Sequence, residues 1–512
     1  MTYRWITLAL GVLLAGSAGA APGDKLDVVR DLAGRVGPII GAALACRDIA
    51  RPRIQVIVDK FAVVIKEASA ADAERADVTQ LLDRAVADGR RSVTTGQTDC
   101  ASADRQLADL EKSIAGPISP GIAAPTTAAP ATSPSTASTA VRGITDREIR
   151  FGISAPFSGS AKELGRQMKL GIDAAFNRVN DAGGVEGRML RLIAADDGYE
   201  PTRTAETMKQ LYEKDRVFGI IGNVGTPTAV VAVPYALERK MLFFGAFTGA
   251  NLLRRDPPDR YVFNYRASYA EETDAVVRYL VKVRRITPKQ IAVFAQQDPY
   301  GDSGFAGVAR AMRALGAGDG TVLRLNYQRN TVDVDDAIAQ LKAHKTPIKA
   351  IVMVSTYRAA ARFIEKTRDL YPAMIYTNVS FVGSTALADE LMLLGKRYAT
   401  GVIVTQVVPA VAGYSSVVLE YKSALAKYFP GEAPDYVSLE GYVAANVLVQ
   451  ALKRAGPQLD TEKLVDTLES MRNLDMGLGT SLNFGRGEHQ ASHKVWGTAL
   501  DETGKYQAIE LD

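Results

Sequence analysis

Two threonine-containing turns are the residues of this sequence best suited to bind a ligand. The first covers residues 222–228 (GNVGTPT) and the second covers residues 244–249 (FGAFTG), and each follows a short apolar run. Glycines allow close approach to the backbone, threonines offer hydroxyl groups, and a helix beginning at the first turn adds free N–H groups and a partial positive charge. Together the turns can hold a carboxylate without a basic side chain. Helix capping explains the same residues equally well.

Tyrosines follow two later apolar runs. Tyr300-Gly301 and Ser355-Thr356-Tyr357 both fall at predicted strand ends, where their rings could cover a ligand from the opposite side. Taken singly, each tyrosine also fits a half-buried surface position.

Signatures of enzymes and metal sites are absent from the sequence, which has no P-loop, zinc-protease or nucleophile-elbow pattern. His489 and His493 are four residues apart, but their surroundings predict strand and turn, which favours structural roles. Asp196-Asp197 ends a predicted strand before Pro201, a position typical of a turn or helix cap. We therefore predict no catalytic residues, no cofactor and no metal.

The N-terminus and the charge indicate an exported globular protein. The chain has 512 residues, 47% of them apolar, a formal charge of +4 and no Lys/Arg run longer than two, so we predict no nucleic-acid partner. Residues 1–20 are typical of a signal peptide, with Arg4, an apolar stretch at 5–15 and small residues at 18–20. The stretch is too short to span a bilayer, so we expect cleavage near Ala20.

Cys46 and Cys100 are the two cysteines of the chain. An oxidising compartment favours a disulfide between them. A reactive thiol is the alternative, but it needs a nearby base, and the neighbouring sequence offers no histidine. We predict the disulfide.

Three zones follow the signal. Residues 22–115 space their apolar residues helically and predict a small all-α domain. Residues 116–142 predict a flexible linker, because five prolines and many Ala, Ser and Thr lie among residues 116–140 without any charge. Residues 145–512 alternate apolar strands with amphipathic helices and restart this pattern after Arg266, which predicts an α/β domain with two doubly wound parallel sheets.

Short motifs in this last zone are specific in combination. They are Phe157-Ser158-Gly159, the NDAGGV run at 180–185, Asp196-Asp197 with Pro201, Ile221-Gly222, Tyr300-Gly301 and Leu439-Glu440-Gly441-Tyr442. With them, the segment from residue 145 to the end resembles the type I periplasmic binding proteins of ABC importers, in the leucine/isoleucine/valine-binding branch. The resemblance implies a Venus flytrap with three crossing strands as a hinge. We place lobe 1 at about 145–266 and 400–480, and lobe 2 at about 267–399 and 481–512.

The resemblance also implies where a ligand binds. The expected contacts are Ser158, Thr226, Ala246, Phe247, Thr248, Tyr300, Tyr357 and Ser380. The family's acid for the ligand ammonium group falls near residues 378–381, where this chain has no Asp or Glu. A carboxylate-bearing ligand is therefore expected, while an α-amino group lacks its partner. Phe247 suggests a more aromatic pocket, and Glu440 could supply an alternative acid or cap a helix.

These features imply a non-enzymatic periplasmic solute-binding protein. It would capture a small carboxylate-bearing ligand, such as an amino acid, an amino-acid-like compound or an aromatic acid, and deliver it to an inner-membrane ABC permease. The alternative is a ligand-sensing flytrap that signals to a membrane receptor or regulator, with the helical domain as its docking module.

Overall fold

The computed structural model describes residues 22–46, 48–69, 71–95, 98–115, 141–318 and 322–511. The predicted signal peptide and residues 116–140 of the predicted linker lie outside the described residues. The chain divides into two compact units, with the boundary between residues 135 and 136. Within the described part of the chain, no helix combines the length and the apolar character that a membrane crossing requires.

The described residues of the N-terminal unit form helices joined by short loops, which confirms the predicted all-α domain. Its helices are α1 (Pro22–Ala45), α2 (Arg51–Ala68), α3 (Asp72–Thr94) and α4 (Cys100–Ala115). Small residues let α1 and α3 approach closely, since a Cβ added at Gly89 would lie 2.1 Å from the carbonyl oxygen of Pro38. Cys46 and Cys100 form the predicted disulfide, which ties the end of α1 to the start of α4.

The second unit alternates strands and helices. Its strands are β1 (Glu148–Ala155), β2 (Met189–Asp196), β3 (Gly219–Ile221), β4 (Leu242–Phe244), β5 (Val262–Phe263), β6 (Ile291–Gln296), β7 (Leu323–Tyr327), β8 (Ala350–Val354), β9 (Ile375–Asn378), β10 (Ile403–Gln406), β11 (Leu474–Asp475), β12 (Ser481–Leu482), β13 (Trp496–Leu500) and β14 (Tyr506–Ile509). Its helices are α5 (Lys162–Asp181), α6 (Pro201–Lys209), α7 (Thr226–Glu238), α8 (Tyr269–Arg278), α9 (Pro299–Ala314), α10 (Asp335–Ala343), α11 (Tyr357–Arg368), α12 (Ser384–Leu394), α13 (Lys396–Ala399), α14 (Ser416–Tyr428), α15 (Tyr436–Ala455) and α16 (Thr461–Ser470).

The strands form two main sheets, one in each lobe. The first has the order β2-β1-β3-β4-β5 and is parallel throughout. The second has the order β14-β13-β10-β9-β8-β6-β7, in which β6 to β10 are parallel and β13 and β14 add an antiparallel edge. Strands β6 and β8 are buried along their whole length, as expected for parallel strands covered on both faces.

Helices from late in the chain return to the first lobe. Helix α15 packs along α5 so closely that a Cβ added at Gly171 would lie 1.8 Å from the carbonyl oxygen of Ser438. Asp435 caps α15 by accepting hydrogen bonds from the N–H groups of Val437 and Ser438, which satisfies donors that a helix start leaves free. One residue of α15, Glu440, lies 3.5 Å from Arg266, which follows β5.

Three crossings of the chain connect the lobes, as the resemblance implied. The first follows β5, the second follows β10, and the third lies around Gln490. The N–H of Asn264 donates to the carbonyl of His489 over 2.7 Å, and the hydroxyl of Tyr265 donates to the carbonyl of Val407 over 2.8 Å. These bonds hold the crossings side by side.

The sheet assignment differs from the predicted lobe boundaries at two places. Strand β10, within the segment 400–480 assigned to lobe 1, pairs with β9 in the second sheet. Residues 481–491, assigned to lobe 2, pack on the first lobe, where the ring of Phe484 lies 5.5 Å from that of Phe263. Apolar spacing predicts that a strand exists, but it does not say which sheet the strand joins.

Candidate functional site

The cleft lies at the carboxyl ends of two pairs of neighbouring strands, one pair in each main sheet. The order reverses between β1 and β3 in the first sheet and between β6 and β8 in the second, and ligands of doubly wound sheets bind beyond the carboxyl ends of strands at such points. Polar residues at these ends are fully buried, including Asn223, Gln296 and Ser355. The amide of Gln296 donates to the hydroxyl of Tyr199 over 3.1 Å, which joins the two lobes.

The two threonine turns meet in the first lobe. Their hydroxyl oxygens, on Thr226 and Thr248, lie 2.7 Å apart and are fully buried. Helix α7 begins at Thr226 after Gly225, whose φ of +107° favours glycine, and a Cβ at Gly225 would lie 2.3 Å from the ring of Tyr199. The N–H of Gly225 donates to the carbonyl of Phe247 and fastens one turn to the other. The hydroxyl pair therefore stands at the N-terminus of a helix.

Aromatic rings from both lobes meet around Phe381. The ring of Phe247 stacks on it with centroids 5.0 Å apart, and the ring of Tyr300 lies at 4.6 Å. Tyr199 and Tyr269 complete the group at 6.1 and 6.4 Å. Phe247 and Tyr199 belong to the first lobe, whereas Phe381 and Tyr300 belong to the second, and all are buried. The cleft is therefore closed in this structure and lined by aromatic surface.

A buried ion cluster lies beside these rings. Arg266, on the first crossing, places Nη2 2.8 Å from Oε1 of Glu272 on α8 of the second lobe. Its Nη1 lies 3.5 Å from Oε1 of Glu440 on α15 of the first lobe. The guanidinium carbon is 5.2 Å from the centroid of Phe247, a distance at which a cation is attracted to a ring face. The cluster thus contacts both lobes and the aromatic group.

Burial governs the ionisation of this cluster. It raises the pKa of Glu440 to about 7, with Arg266 opposing the shift and Glu272 adding to it. Burial alone would lower the pKa of Arg266, but attraction to Glu440 and Glu272 holds that pKa above its ordinary value. Arg266 is therefore a permanent cation, while Glu440 changes charge near neutral pH.

Polar contacts also close the mouth of the cleft. Arg329 of the second lobe places Nη2 2.9 Å from Oε2 of Glu200 of the first lobe and Nη1 3.1 Å from Oδ2 of Asp298. The amide of Asn330 donates to Glu200 over 2.6 Å, and the hydroxyl of Ser160 donates to Asn330 over 3.1 Å. This set of residues, Ser160, Glu200, Asp298, Arg329 and Asn330, is called the mouth cluster.

The structure brings most of the predicted site residues together. Ala246 is buried between Gly245 and Phe247 in the second turn, and Thr226, Phe247, Thr248 and Tyr300 lie as described above. Ser380 is buried, and its N–H and hydroxyl both donate to Glu272, over 2.8 and 3.0 Å. An acid therefore does lie beside Ser380, supplied by α8.

Two further predicted contacts are Ser158 and Tyr357. Ser158 is exposed, and its hydroxyl donates to Oδ2 of Asp196 over 2.5 Å within its own lobe. Tyr357 is buried beside Gly383 and lines a groove of about 310 Å³ together with Leu164 and Gln167. Leu164 and Gln167 belong to α5 of the first lobe and Tyr357 begins α11 of the second, so this groove lies between the lobes.

The remaining polar candidates contact residues of their own surroundings. Asp196 accepts hydrogen bonds from Ser158 and from the N–H groups of Phe157 and Gly198, which overcome the effect of burial and lower its pKa to about 2. His489 stacks on Phe263 with centroids 3.8 Å apart, and His493 pairs with Glu271 at 2.6 Å. No group of described residues could hold a metal ion.

Sequence reasoning missed Arg266, Glu272 and Tyr199 as residues of the site. Glu272 lies in the sequence YAEETDAVVR, where it resembles one of the exposed acids of an amphipathic helix. An acid six residues after an arginine that follows a strand was a signal available in the sequence, although it did not indicate that both side chains are buried.

Comparisons with known proteins agree with this fold. The profile of the family described as periplasmic binding protein matches residues 148–505. A protein of Brucella melitensis biotype 1 named Leu/Ile/Val-binding protein homolog 3 is 25% identical over 339 residues, covering 65% of this chain and 86% of the relative. A solved structure of a possible leucine/isoleucine/valine-binding protein from Rhodopirellula baltica SH 1 is 39% identical with a TM-score of 0.68, covering 73% of this chain and 98% of that one.

A solved substrate-binding periplasmic protein from Ralstonia solanacearum is 26% identical with a TM-score of 0.64 and covers 71% of this chain. Two α/β lobes, three crossings and a buried polar and aromatic cleft define a solute-binding protein of the flytrap class. The chain belongs to the type I periplasmic binding protein family, in its leucine/isoleucine/valine-binding branch.

Proposed function

We propose that this protein captures a small carboxylate-bearing ligand in the cleft and delivers it to the permease of an ABC importer. The observation that carries the proposal is the buried hydroxyl pair of Thr226 and Thr248 at the N-terminus of α7. Hydroxyl groups, free helix N–H groups and the helix dipole together form an anion-binding site. Relatives named as Leu/Ile/Val-binding proteins support the same ligand class.

The aromatic group gives the site its second property. Phe247, Tyr300 and Phe381 offer ring surface from both lobes, which suits a ligand with an apolar or aromatic body. Binding of such a ligand requires the lobes to open and the rings to part, and closure then removes the ligand from water. The predicted signal peptide and the family support a periplasmic, non-catalytic role for this activity.

A thermal-shift screen of the mature protein tests the proposal. The panel contains branched-chain amino acids, their deaminated analogues, aromatic acids and dicarboxylates. It also contains the amides and esters of these compounds, in which the carboxylate is replaced by an uncharged group. Binding to the native state raises the apparent melting temperature by mass action. We expect acids to stabilise the protein while their esters do not. Equal stabilisation by an acid and its ester contradicts the carboxylate assignment.

A sensor is the second candidate function. The observation that favours it is the N-terminal unit, which has its own apolar core and its own disulfide and is not matched by the family profile. Adjacent permease and ATPase genes favour transport, whereas an adjacent histidine kinase or chemoreceptor gene favours sensing. Uptake assays in a strain deleted for this gene decide between them, since only the transporter role predicts lost ligand uptake.

A further inference from the structure

Arg266 and Glu440 have hydrogen-bonding capacity that the described residues leave unused. The Arg266 side chain is 1% exposed and the Glu440 side chain 4% exposed. Neither Nε nor Nη1 of Arg266 has a hydrogen-bond partner, and the 3.5 Å from Nη1 to Glu440 exceeds an ordinary hydrogen bond. A buried N–H donor of a charged group that stays unpaired costs more folding free energy than an unpaired neutral donor. A ligand group that accepts hydrogen bonds from these atoms would remove this cost.

The carboxylate of Glu272, in contrast, already has hydrogen-bond partners on both oxygens. Its carboxylate accepts hydrogen bonds from Arg266, from the hydroxyl of Thr405, and from the N–H and hydroxyl of Ser380. Because the charge of Arg266 is already balanced at 2.8 Å by Glu272, the unused part of the cluster consists of Nε and Nη1 of Arg266, which carry three N–H groups between them, and the carboxyl group of Glu440.

These free atoms lie in the cleft already described. The guanidinium of Arg266 is 5.2 Å from the ring of Phe247 and 5.7 Å from the ring of Tyr269. Phe247 immediately precedes Thr248 in the second turn. The cleft thus has two polar groups, the threonine pair and the Arg266–Glu440 pair, and Phe247 connects them because its ring faces Arg266 and its backbone precedes Thr248.

Charge restricts what fits between Arg266 and Glu440. An anion there is repelled by ionised Glu440 and by Glu272, and an ammonium group cannot accept a hydrogen bond from the unpaired N–H groups of Arg266. A neutral group that both accepts and donates satisfies the arginine N–H and the carboxylate at the same time. Hydroxyl and carboxamide groups have this property.

We propose that Arg266 and Glu440 bind a hydroxyl or carboxamide group of the ligand, at the end of the molecule away from its carboxylate. This inference rests on the proposed function, because it adds a second contact to a ligand anchored at the threonine pair. It makes Arg266 and Glu440 specificity-determining residues.

Calorimetry with straight-chain carboxylates of several lengths tests this assignment. Each length is compared in forms that end in a methyl, hydroxyl, carboxamide, ammonium or second carboxylate group. We expect the hydroxyl or carboxamide form of one length to bind about tenfold to hundredfold more tightly than its methyl form, since a hydrogen bond to a charged group contributes roughly 1.5–3 kcal/mol. Equal binding of the methyl and hydroxyl forms at every length, or preference for the ammonium or dicarboxylate form, overturns the proposal.

Variants of Glu440 test which side chain is responsible. Glu440→Met removes the acceptor and should abolish the advantage of the hydroxyl form, while Glu440→Gln retains an acceptor and should keep most of it. Glu462→Gln, on the exposed surface of the first lobe, is the matched control and should change nothing. Equal loss in both Glu440 variants overturns the hydrogen-bonding role. If Glu440→Met does not fold, the comparison of methyl and hydroxyl forms in the unaltered protein still tests the proposal.

The same titrations separate the two proposals. Terminal alcohols and amides that lack a carboxylate are included in the series. If they bind in a Glu440-dependent manner while the carboxylates do not, the proposed carboxylate function fails and the present inference stands. If carboxylates bind with the same affinity whether they end in a methyl, hydroxyl or carboxamide group, the inference fails and the proposed function stands. If none of the compounds binds, both are overturned.

Discussion

The hydroxyl oxygens of Thr226 and Thr248 lie 2.7 Å apart although 22 residues separate them in the chain. Each threonine follows its own strand, and the parallel register that pairs Gly219 with Leu242 brings the two turns to the same level. The N–H of Phe247 donates to the carbonyl of Asn223 over 2.7 Å and completes the connection. The proposed anion site is thus a product of sheet register rather than of either turn alone.

Removing the Thr226 hydroxyl should weaken ligand binding without a large loss of stability. Thr226→Ala deletes a donor aimed at the proposed carboxylate, and we expect calorimetry to show about tenfold to hundredfold weaker binding, at roughly 1.5–3 kcal/mol for a charge-assisted bond. Thr228→Ala is the matched control, because the Thr228 hydroxyl donates to the carbonyl groups of Val224 and Gly225. That variant should lose about 1 kcal/mol of stability and keep its affinity. The reverse pattern would identify Thr226 as a cap.

Much of this site could be predicted from the sequence because its signals are local. Glycine and threonine in short turns after apolar runs indicate a helix N-terminus wherever the sheet lies, and Thr226 and Thr248 were found in this way. Tyr300 was singled out because it falls at a predicted strand end. The position of each of these residues in the fold is set by the strand and turn in which it lies.

The part that sequence reasoning missed depends on tertiary packing. Glu272 and Glu440 sit on different helices of different lobes, and each resembles an exposed or capping acid in its own segment. Their proximity to Arg266 follows from how the first crossing passes between the lobes, which no periodicity reveals. The missing acid near Ser380 was inferred from one stretch of chain, whereas the structure supplies it from α8.

Loss of the mouth cluster should increase ligand release. Glu200→Gln removes the charge that pairs with Arg329 across the lobes at 2.9 Å. The pair is partly exposed, so its contribution is about 0–1 kcal/mol, and we expect a few-fold faster dissociation with little change in association. Stopped-flow kinetics should show the difference shrinking at high salt. Glu462→Gln serves as the control, and an unchanged dissociation rate in Glu200→Gln would exclude a role for this pair in closure.

Reduction of the disulfide should affect the N-terminal unit alone. Cys46 and Cys100 are separated by 54 residues, and opening a loop of that size costs about 4 kcal/mol in the chain-entropy description. We expect calorimetry to show one unfolding transition moving to lower temperature under reductant. The transition of residues 141–512 should stay in place, because that segment contains no cysteine. A shift of both transitions would indicate that the units unfold together.

The stability of the binding unit should depend on the ionisation of Glu440. Burial raises the pKa of Glu440 from 4.5 to about 7 in the folded protein, so between these pH values the native state binds more protons than the unfolded state. Stability therefore falls as pH rises through this window and levels off above it. At about 1.4 kcal/mol per unit, the loss is roughly 3 kcal/mol at most.

Comparison with Glu440→Gln isolates this effect, because the amide stays neutral at every pH and all other titrating groups, Asp197 among them, are shared. The difference in free energy of unfolding between the variant and the unaltered protein should be small near pH 4.5. It should then grow in favour of the variant up to about pH 7 and remain constant beyond. Chemical denaturation across this range measures it. A difference that does not vary with pH would mean that Glu440 has the same pKa in the folded and unfolded states.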